Sequence, residues 1–520
     1  MFYRAGILFL VILLTACGGK VDNEGLSIFK YNESAGIYTL DPAFAKDQAT
    51  IWAGNQLFNG LIQLDKNLNV KPSIANSYNI SSNGKVYDFF LRDDVFFHDH
   101  ALFKDSVGRK VVASDFEYSF NRLLDKDLAA PGAWVMGNVE SFRAINDTIF
   151  QVILKKPFPG FLSLLSMQYC SVVPYEIVEG GNFHHHPIGT GPFKFQFWQE
   201  GIKLIFRKNP NYFEKEEGER LPYLDAVAIT FVKDKQSAFL QFLQGNLDFL
   251  SGIDASYKDE LLTKEGLLRE KYQDKVTLYS QAYLNTEYLG FLMEDSIPFA
   301  IRKAINYGFD RKKMIQYLRN NIGTPANQGF VPYGMPSFNP DLQGYTYNPE
   351  KAAELIKRSN FDLSTIIVLA TTSSYLDLCE YIQHELSKLG LNIKIELNPP
   401  STHRQMVATS RLSFFRGSWI ADYPDAENYL SLFYSKNFAP NGPNYTHFKD
   451  EEFDMLYEKA LSETNNDLRA ELYQKMDKII INHAVIVPLY YDRVLRFTRK
   501  GITGLESNAM NLLDLKRVKK

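Results

Sequence analysis

Cysteine is scarce in this sequence, and neither sign of charge is in excess. Only three cysteines occur among 520 residues, and two of them, Cys170 and Cys379, lie far apart in apolar stretches. Buried small side chains are therefore favoured for this pair, and a disulfide is the alternative. Lysine and arginine total 57 against 60 aspartate and glutamate residues, so no basic surplus indicates a nucleic-acid partner. With 45% hydrophobic and 22% charged residues, the composition is typical of a globular protein with two or three domains.

Long apolar runs are missing after the first residues. The run from Ala5 to Leu14 follows a single charge at Arg4 and closes on Leu14-Thr15-Ala16-Cys17, which predicts a signal peptide over residues 1–16. The closing four residues resemble a bacterial lipobox, whose cysteine is acylated; an ordinary signal peptide with an incidental cysteine is the alternative. Residues 17–25 are then a lipidated tether. No later stretch approaches the roughly 18 to 20 apolar residues of a spanning helix, so lipid at Cys17 is the expected anchor.

Catalytic and metal-binding motifs are also missing. The chain has no G-x-S-x-G elbow and no H-E-x-x-H motif, because His384-Glu385 lacks the second histidine. Two histidine clusters, His98-Asp99-His100 and His184-His185-His186, are predicted to be solvated loops, since consecutive residues cannot easily share one tetrahedral ion. A metal site there is the alternative. We therefore expect no enzyme and no cofactor, and a lipid-anchored hydrolase stays a distant alternative.

Strand and helix signals are present along most of the chain. A hairpin is predicted where apolar residues alternate with polar ones, at Phe193, Phe195, Phe197, Leu204 and Phe206. A second hairpin is predicted to turn at Ser82-Asn83-Gly84.

Helix boundaries are marked by capping residues and glycines. Ser114 and Glu117 fit a capping box, and Gly245 is expected to end a helix that precedes a short strand. Further elements are predicted as a helix before Gly308, one after Asp310, one from Asn348-Pro349 through Ile356, a strand over Ile366–Ala370, and a helix from Tyr375 to Leu389. Strands that alternate with helices imply an α/β fold.

The most informative stretch is the run from Pro187 to Lys194. It is followed, at characteristic spacing, by Trp198, Gly201, Arg207, Asn209 and Tyr212. It is preceded by Leu40-Asp41-Pro42 and Leu57-Phe58-x-Gly60-Leu61. Together these motifs resemble the family 5 extracellular solute-binding proteins, the dipeptide and oligopeptide receptors of ABC importers. The resemblance implies a two-lobed α/β fold of the periplasmic-binding-protein type (type II, cluster C) with an extra small β-rich domain.

The same resemblance implies a division into three domains. Domain I is expected from residues 26–60, 188–281 and 487–520, domain II from residues 61–187, and domain III from residues 282–486. Two crossover strands near residues 281–285 and 484–488 would form the hinge between lobes I and III. No repeat or Pro-rich linker in the sequence marks these boundaries.

The ligand site implied by the resemblance lies in residues 411–437. In the family, an aromatic residue and an aspartate three positions later line the closed cleft, and the aspartate meets the peptide's terminal ammonium; here these are Trp419 and Asp422. A turn or cap role is the alternative for Asp422. Arg416 is expected either to help receive the terminal carboxylate or to form a solvated structural salt bridge. The candidate strand for β-augmentation consists of Gly417, Ser418 and Trp419. The edge that faces it is expected from Gly36, Ile37 and Tyr38.

These expectations describe a lipid-anchored receptor that binds di- or oligopeptides between lobes I and III and closes by hinge motion. The closed form would dock, as a monomer, on a two-subunit permease powered by paired ATPases. Its place would be the cell envelope, facing the periplasm or the cell exterior. The alternative is the same fold binding a non-peptide solute such as a nickel chelate or an oligosaccharide.

Overall fold

The computed structural model describes residues 25–254, 256–294 and 297–520. The predicted signal peptide, the predicted acylation site Cys17 and all of the tether except Gly25 lie outside the described residues. Within the ranges that are described, no helix combines the length and the apolar character that a membrane crossing requires.

The strands range from two-residue pairs to two long crossover strands. In chain order they are β1 Ile28–Asn32, β2 Ile62–Leu64, β3 Val70–Pro72, β4 Ala75–Ile80, β5 Val86–Leu91, β6 Val139–Asn146, β7 Ile149–Leu154, β8 Phe193–Gln199, β9 Lys203–Lys208, β10 Lys215–Glu216, β11 Glu219–Arg220, β12 Ala226–Thr230, β13 Phe249–Ser251, β14 Val276–Phe291, β15 Thr324–Pro325, β16 Ile366–Thr371, β17 Asn392–Leu397, β18 Phe414–Ile420 and β19 Ile486–Arg499.

The α-helices are mostly short and pack against these strands. They are α1 Gln48–Leu57, α2 Ala113–Leu124, α3 Phe161–Leu165, α4 Tyr175–Glu179, α5 Lys235–Gln244, α6 Lys258–Leu261, α7 Glu270–Gln273, α8 Phe299–Tyr307, α9 Arg311–Arg319, α10 Pro349–Ser359, α11 Leu376–Ser387, α12 Pro400–Ala408, α13 Glu427–Leu430, α14 Glu451–Ala460 and α15 Asn466–Asn482. Short 3₁₀ helices occupy Pro42–Phe44, Lys104–Ser106, Pro131–Met136, Gln168–Cys170, Ser373–Tyr375, Ser431–Phe433 and Ser435–Asn437.

One mixed sheet runs through both lobes. Its strand order is β17-β16-β18-β14-β19-β13-β1-β12-β9-β8, and β15 pairs with β19. The pairs β16–β17 and β1–β12 are parallel, whereas β14 is antiparallel to both β18 and β19. Because parallel neighbours need crossover connections, helices lie between them in the chain. The expected α/β two-lobed fold is confirmed.

The two long strands β14 and β19 connect the lobes and are irregular in the middle. Their pairing register shifts between Ala282 and Thr286, opposite Arg493 and Tyr491. A second irregularity lies between Glu287 and Tyr288, opposite Tyr490 and Pro488. The hinge expected near residues 281–285 and 484–488 stays a prediction. The domain boundaries themselves stay a prediction.

A separate four-stranded antiparallel sheet, in the order β4-β5-β7-β6, forms within residues 75–154. The predicted hairpins are both confirmed: β4 pairs with β5, and β8 pairs with β9 with a bulge between Phe195 and Phe197. Gly84 in the first turn has a φ of 67°, a value that residues other than glycine rarely adopt.

Most predicted helix boundaries are confirmed, and one cap is wrong. Gly245, with φ 84°, ends α5, and the Asp310 carboxylate accepts a hydrogen bond from the Lys312 amide at 2.9 Å at the start of α9. The capping box of α2 does not use Ser114 and Glu117. Asp115 accepts from the Val112 amide at 2.9 Å, and Glu117 instead accepts from the Ala144 amide of β6. Two acidic residues suited this first turn, and packing against β6 selected between them.

The buried cores follow the two lobes. One large core joins β1, α1, the small sheet and the C-terminal residues, and two others fill the second lobe. Cys170 belongs to the first lobe's core and Cys379 to the second's, and both are buried free thiols, as favoured from the sequence. Tyr423 is an exception to the division, because its ring packs edge-on against Phe158 of the other lobe at 6.3 Å.

Candidate functional site

Asp422 follows β18 at the point where the chain leaves the sheet. The amide of Ala421 donates to the Leu284 carbonyl at 2.9 Å, which ties this segment to β14. Asn428, at the second position of α13, donates to Asp422 Oδ2 at 3.1 Å and accepts from the Asp422 amide at 3.1 Å. Asn428 Oδ1 also accepts from Trp419 Nε1 at 3.0 Å. One buried amide side chain therefore fixes both residues that the sequence singled out.

The Asp422 carboxylate lines a cavity of about 290 Å³ between the lobes. We call it the central cavity. One wall comes from Ala45 to Asn55, the opposite wall from Tyr283 and Ile420 to Asp422. The remaining walls are formed by Trp134 and Ser166 to Tyr169 and by Leu64 and Met510 to Leu512. All three predicted domains thus contribute to the central cavity, although the sequence implied only lobes I and III.

Asp422 carries its charge without a cationic partner in the described part of the chain. Its side chain is exposed to the cavity, yet the surrounding walls desolvate it enough to raise the pKa of the carboxyl above its usual value, with the Asn428 hydrogen bond acting in the opposite direction. Lys46 lines the same cavity, but no ion pair within 4.0 Å joins the two groups. A confined carboxylate of this kind favours a cation brought by a ligand.

The strand ahead of Asp422 has one unpaired edge. Over residues Gly417, Ser418 and Trp419, β18 pairs with β14, whereas β16 joins it only at Phe415. The described residues supply no strand partner for the other edge of these three residues. Trp419 itself packs into the second lobe's core and does not line the central cavity. The predicted strand is therefore formed, and the Trp419 indole is turned towards Asn428.

Arg416 lies in a buried ion pair. Its guanidinium bonds the Glu287 carboxylate and stacks on the Tyr375 ring at 3.3 Å. Burial raises the pKa of Glu287 even though the positive charge of Arg416 opposes it. Of the two roles expected for Arg416, the structure shows the salt bridge, and it is buried rather than solvated.

Gly36, Ile37 and Tyr38 do not reach the central cavity. Gly36 closes a turn by donating to the Glu33 carbonyl, Ile37 is buried in the first lobe's core, and Tyr38 is 82% exposed. The wall that faces Asp422 is instead Ala45, Lys46 and Gln48, just after Leu40-Asp41-Pro42. The course of the chain after this motif decides which residues face the cleft. No periodic pattern in the sequence indicates that course.

His98 is the one buried member of the first histidine cluster, since Asp99 is exposed and His100 is half-buried. The prediction of a solvated loop is wrong for His98, which is 3% exposed. Its Nε2 lies 3.0 Å from the Gly191 carbonyl, and its Nδ1 accepts from the Gly189 amide at 3.3 Å, while burial lowers the pKa of the ring to about 4. His184 and His186 are exposed. Among the described residues, no group of three or more His, Cys, Asp or Glu side chains is placed to hold a metal ion.

The glycines of the Pro187 to Lys194 run are required by close packing. A Cβ at Gly189 would lie 2.0 Å from the Leu57 carbonyl oxygen, and one at Gly191 would lie 2.4 Å from the Leu57 carbonyl carbon. The Pro187 to Lys194 run therefore contacts the motif Leu57-Phe58-x-Gly60-Leu61, because the end of α1 packs directly onto Gly189 and Gly191.

Known proteins are similar to this chain over most of its length. The chain is 25% identical to the dipeptide-binding protein DppE of Bacillus subtilis over 96% of its own length and 92% of the relative's. It is 26% identical to heme-binding protein A of Haemophilus influenzae, over 84% and 82% of the two chains. The periplasmic binding protein DppA of Helicobacter pylori, solved with the peptide STSA, superposes with a TM-score of 0.76 over 94% and 97% of the chains, at 24% identity.

The family comparison covers the part of the chain that contains Asp422 and the cavity walls from Trp134, residues 166–169 and Tyr283. Residues 69–441 match the sequence model of the bacterial extracellular solute-binding proteins, family 5 Middle. This match spans more than half of the 520 residues. The chain therefore belongs to the family 5 bacterial extracellular solute-binding proteins.

Proposed function

We propose that this solute-binding protein holds peptides by their α-ammonium group at Asp422. The observation that carries the proposal is a carboxylate that Asn428 orients at the wall of the central cavity, without a cationic partner among the described residues. A peptide ammonium would supply that partner and donate hydrogen bonds to the carboxylate. The relatives named for dipeptide binding and the homologue solved with a peptide support the same ligand class.

The open edge of β18 supports a peptide rather than a compact solute. A bound peptide could pair its backbone with Gly417 to Trp419 in the manner of β-augmentation, which fixes the main chain without reading its side chains. The apolar walls of the central cavity, among them Trp52, Trp134 and Met167, favour a hydrophobic group close to the ammonium. Gly36, Ile37 and Tyr38 have no part in this proposal.

We further propose that the protein delivers its ligand to an ABC permease without chemical turnover. The chain's membership of a solute-binding family supports this proposal. The Helicobacter pylori homologue, which is described as ABC transporter-associated, supports it as well. Cys17 would carry the lipid anchor, and the body would act as a monomer in the cell envelope. Domain closure about the irregular part of β14 and β19 would enclose the ligand.

Calorimetry with four combinations of protein and ligand tests the role of Asp422. Truncating one partner of a buried charge pair costs about 2 to 5 kcal/mol, so Asp422→Asn should weaken peptide binding by roughly thirty-fold to several thousand-fold. N-acetylated peptides should bind the native protein poorly, and the substitution should affect them far less. Asp341→Asn, an exposed site in the same lobe, should leave affinity unchanged.

Equal binding of free and acetylated peptides to the native protein would refute the ammonium role. The same holds if the two losses simply add, because additivity means that the groups do not interact. A nickel chelate or an oligosaccharide would then become the candidate ligand.

A further inference from the structure

The central cavity has one charged residue of each sign among the described residues that line it. Asp422 is the acidic residue and Lys46 is the basic one, and the remaining lining residues are neutral. Within the described chain, no ion pair within 4.0 Å joins the two side chains. Two opposite charges that share a cavity without pairing suit a ligand that carries both signs, because each charge can then be neutralised by the ligand.

The backbone of Lys46 is held in the cavity wall from both sides. Ahead of it, the Asp41 carboxylate caps the first 3₁₀ helix and pairs with the Arg122 guanidinium at 2.6 Å. After it, the Asp47 carboxylate caps α1 and accepts a hydrogen bond from the Thr50 amide at 2.9 Å. The place of Lys46 opposite Asp422 is therefore set by the fold and does not depend on a bound ligand.

The side chain of Lys46 is available to a ligand. The residue is exposed, and within the described chain its ammonium forms no salt bridge and donates no hydrogen bond. Arg416 is not available for the same role, because the Glu287 carboxylate already pairs with it in a buried position. The flexible stem of a lysine can adjust the position of its charge, whereas Asn428 holds the Asp422 carboxylate in one place.

The size of the central cavity favours a short ligand. Its volume of about 290 Å³ lies at the small end of the range for ligand sites, which is about 300 to 1,000 Å³. An extended dipeptide spans about 7 Å and an extended tetrapeptide about 14 Å. A peptide whose ammonium and carboxylate both contact the walls of one such cavity is therefore a short one.

We propose that Lys46 is a specificity-determining residue that binds a carboxylate of the ligand, so that the central cavity selects short zwitterionic peptides. The inference rests on the proposed function, because the ammonium at Asp422 fixes the end of the ligand from which the carboxylate reaches Lys46. The C-terminus of a dipeptide and an acidic first side chain both supply this carboxylate, and the size of the cavity favours the C-terminus.

Calorimetry with two pairs of peptides tests the carboxylate and identifies its source. A dipeptide with hydrophobic side chains is compared with its C-terminal amide, and a tetrapeptide amide that begins with glutamate is compared with one that begins with glutamine. Loss of a charge-assisted hydrogen bond should weaken binding by about 5- to 50-fold in the pair whose carboxylate reaches Lys46. A loss in the first pair identifies the C-terminus, and a loss in the second pair identifies the side chain.

Two substitutions of Lys46 show whether its charge causes the difference. Lys46→Met keeps most of the stem without the charge and should remove the difference within the pair, whereas Lys46→Arg keeps the charge and should retain it. Lys203→Met is the matched control, because Lys203 is an exposed lysine of β9 that does not line the central cavity. This control should leave the difference as it is in the native protein.

The inference is overturned if neither carboxylate strengthens binding to the native protein, or if the difference persists in Lys46→Met. Asp422→Asn separates this failure from that of the proposed function. Peptide binding that depends on Asp422 but not on Lys46 overturns only the inference. Binding that is insensitive to Asp422→Asn overturns the proposed function, and the inference with it.

Discussion

Asp477 is a buried carboxyl whose ionisation should make the protein less stable as pH rises. It lies in α15, is 2% exposed, and accepts hydrogen bonds from the amides of Phe330 at 2.8 Å and Val331 at 3.3 Å. The same loop is held by Thr286 Oγ1, which donates to the Phe330 carbonyl at 2.8 Å, and by the Tyr491 hydroxyl. Thr286 and Tyr491 pair with each other at one end of the irregular part of the crossover strands, so Asp477 anchors a loop beside that part.

Burial raises the pKa of Asp477 from 3.8 to about 7, although the two backbone amides oppose the change. The folded state therefore keeps a proton that the unfolded chain loses, and this contribution to stability is fully present below about pH 4. It is lost as pH rises towards and through 7. The whole difference corresponds to about 4 kcal/mol, of which about 2 to 3 kcal/mol falls between pH 5 and pH 8.

Asp477→Asn should remove this dependence, because the amide keeps the shape and one acceptor but cannot ionise. Urea denaturation of both proteins at pH 5, 6, 7 and 8 measures the difference, and the variant should gain about 2 to 3 kcal/mol relative to the native protein across that range. Asp467→Asn, at the exposed start of the same helix, should show no such trend. A constant difference between Asp477→Asn and the native protein at all four pH values would refute the reasoning.

Two further predictions concern the ion pair and the anchor. Glu287→Ala leaves the Arg416 guanidinium buried without its partner, so it should cost about 3 to 5 kcal/mol in urea denaturation, whereas Glu287→Gln combined with Arg416→Met should cost clearly less; equal losses would show that the two groups are not coupled. Cys17→Ser should abolish acyl labelling of the protein in its native host, and unchanged labelling would rule out Cys17 as the anchor.

The sequence predicted the local elements well because their signals are local. Asn83-Gly84 and the alternating phenylalanines marked both hairpins, and Gly245 and Asp310 marked helix ends, since turn and cap chemistry depends on a few adjacent residues. The motifs also indicated the family and the α/β two-lobed fold. The same locality explains the one wrong cap, where Asp115 and Glu117 both suited the first turn of α2.

The site needed the tertiary structure, because its walls come from residues that are distant in the chain. The sequence singled out Asp422, but Asn428 as its clamp, Glu287 as the partner of Arg416, and Ala45 to Gln48 as the facing wall depend on how β14, β18 and α1 are placed. His98 looked like a loop residue until packing against Gly189 and Gly191 buried it. Periodicity and spacing report which face of an element is apolar. Only the register of the sheet and the packing of the lobes decide which polar groups are enclosed together.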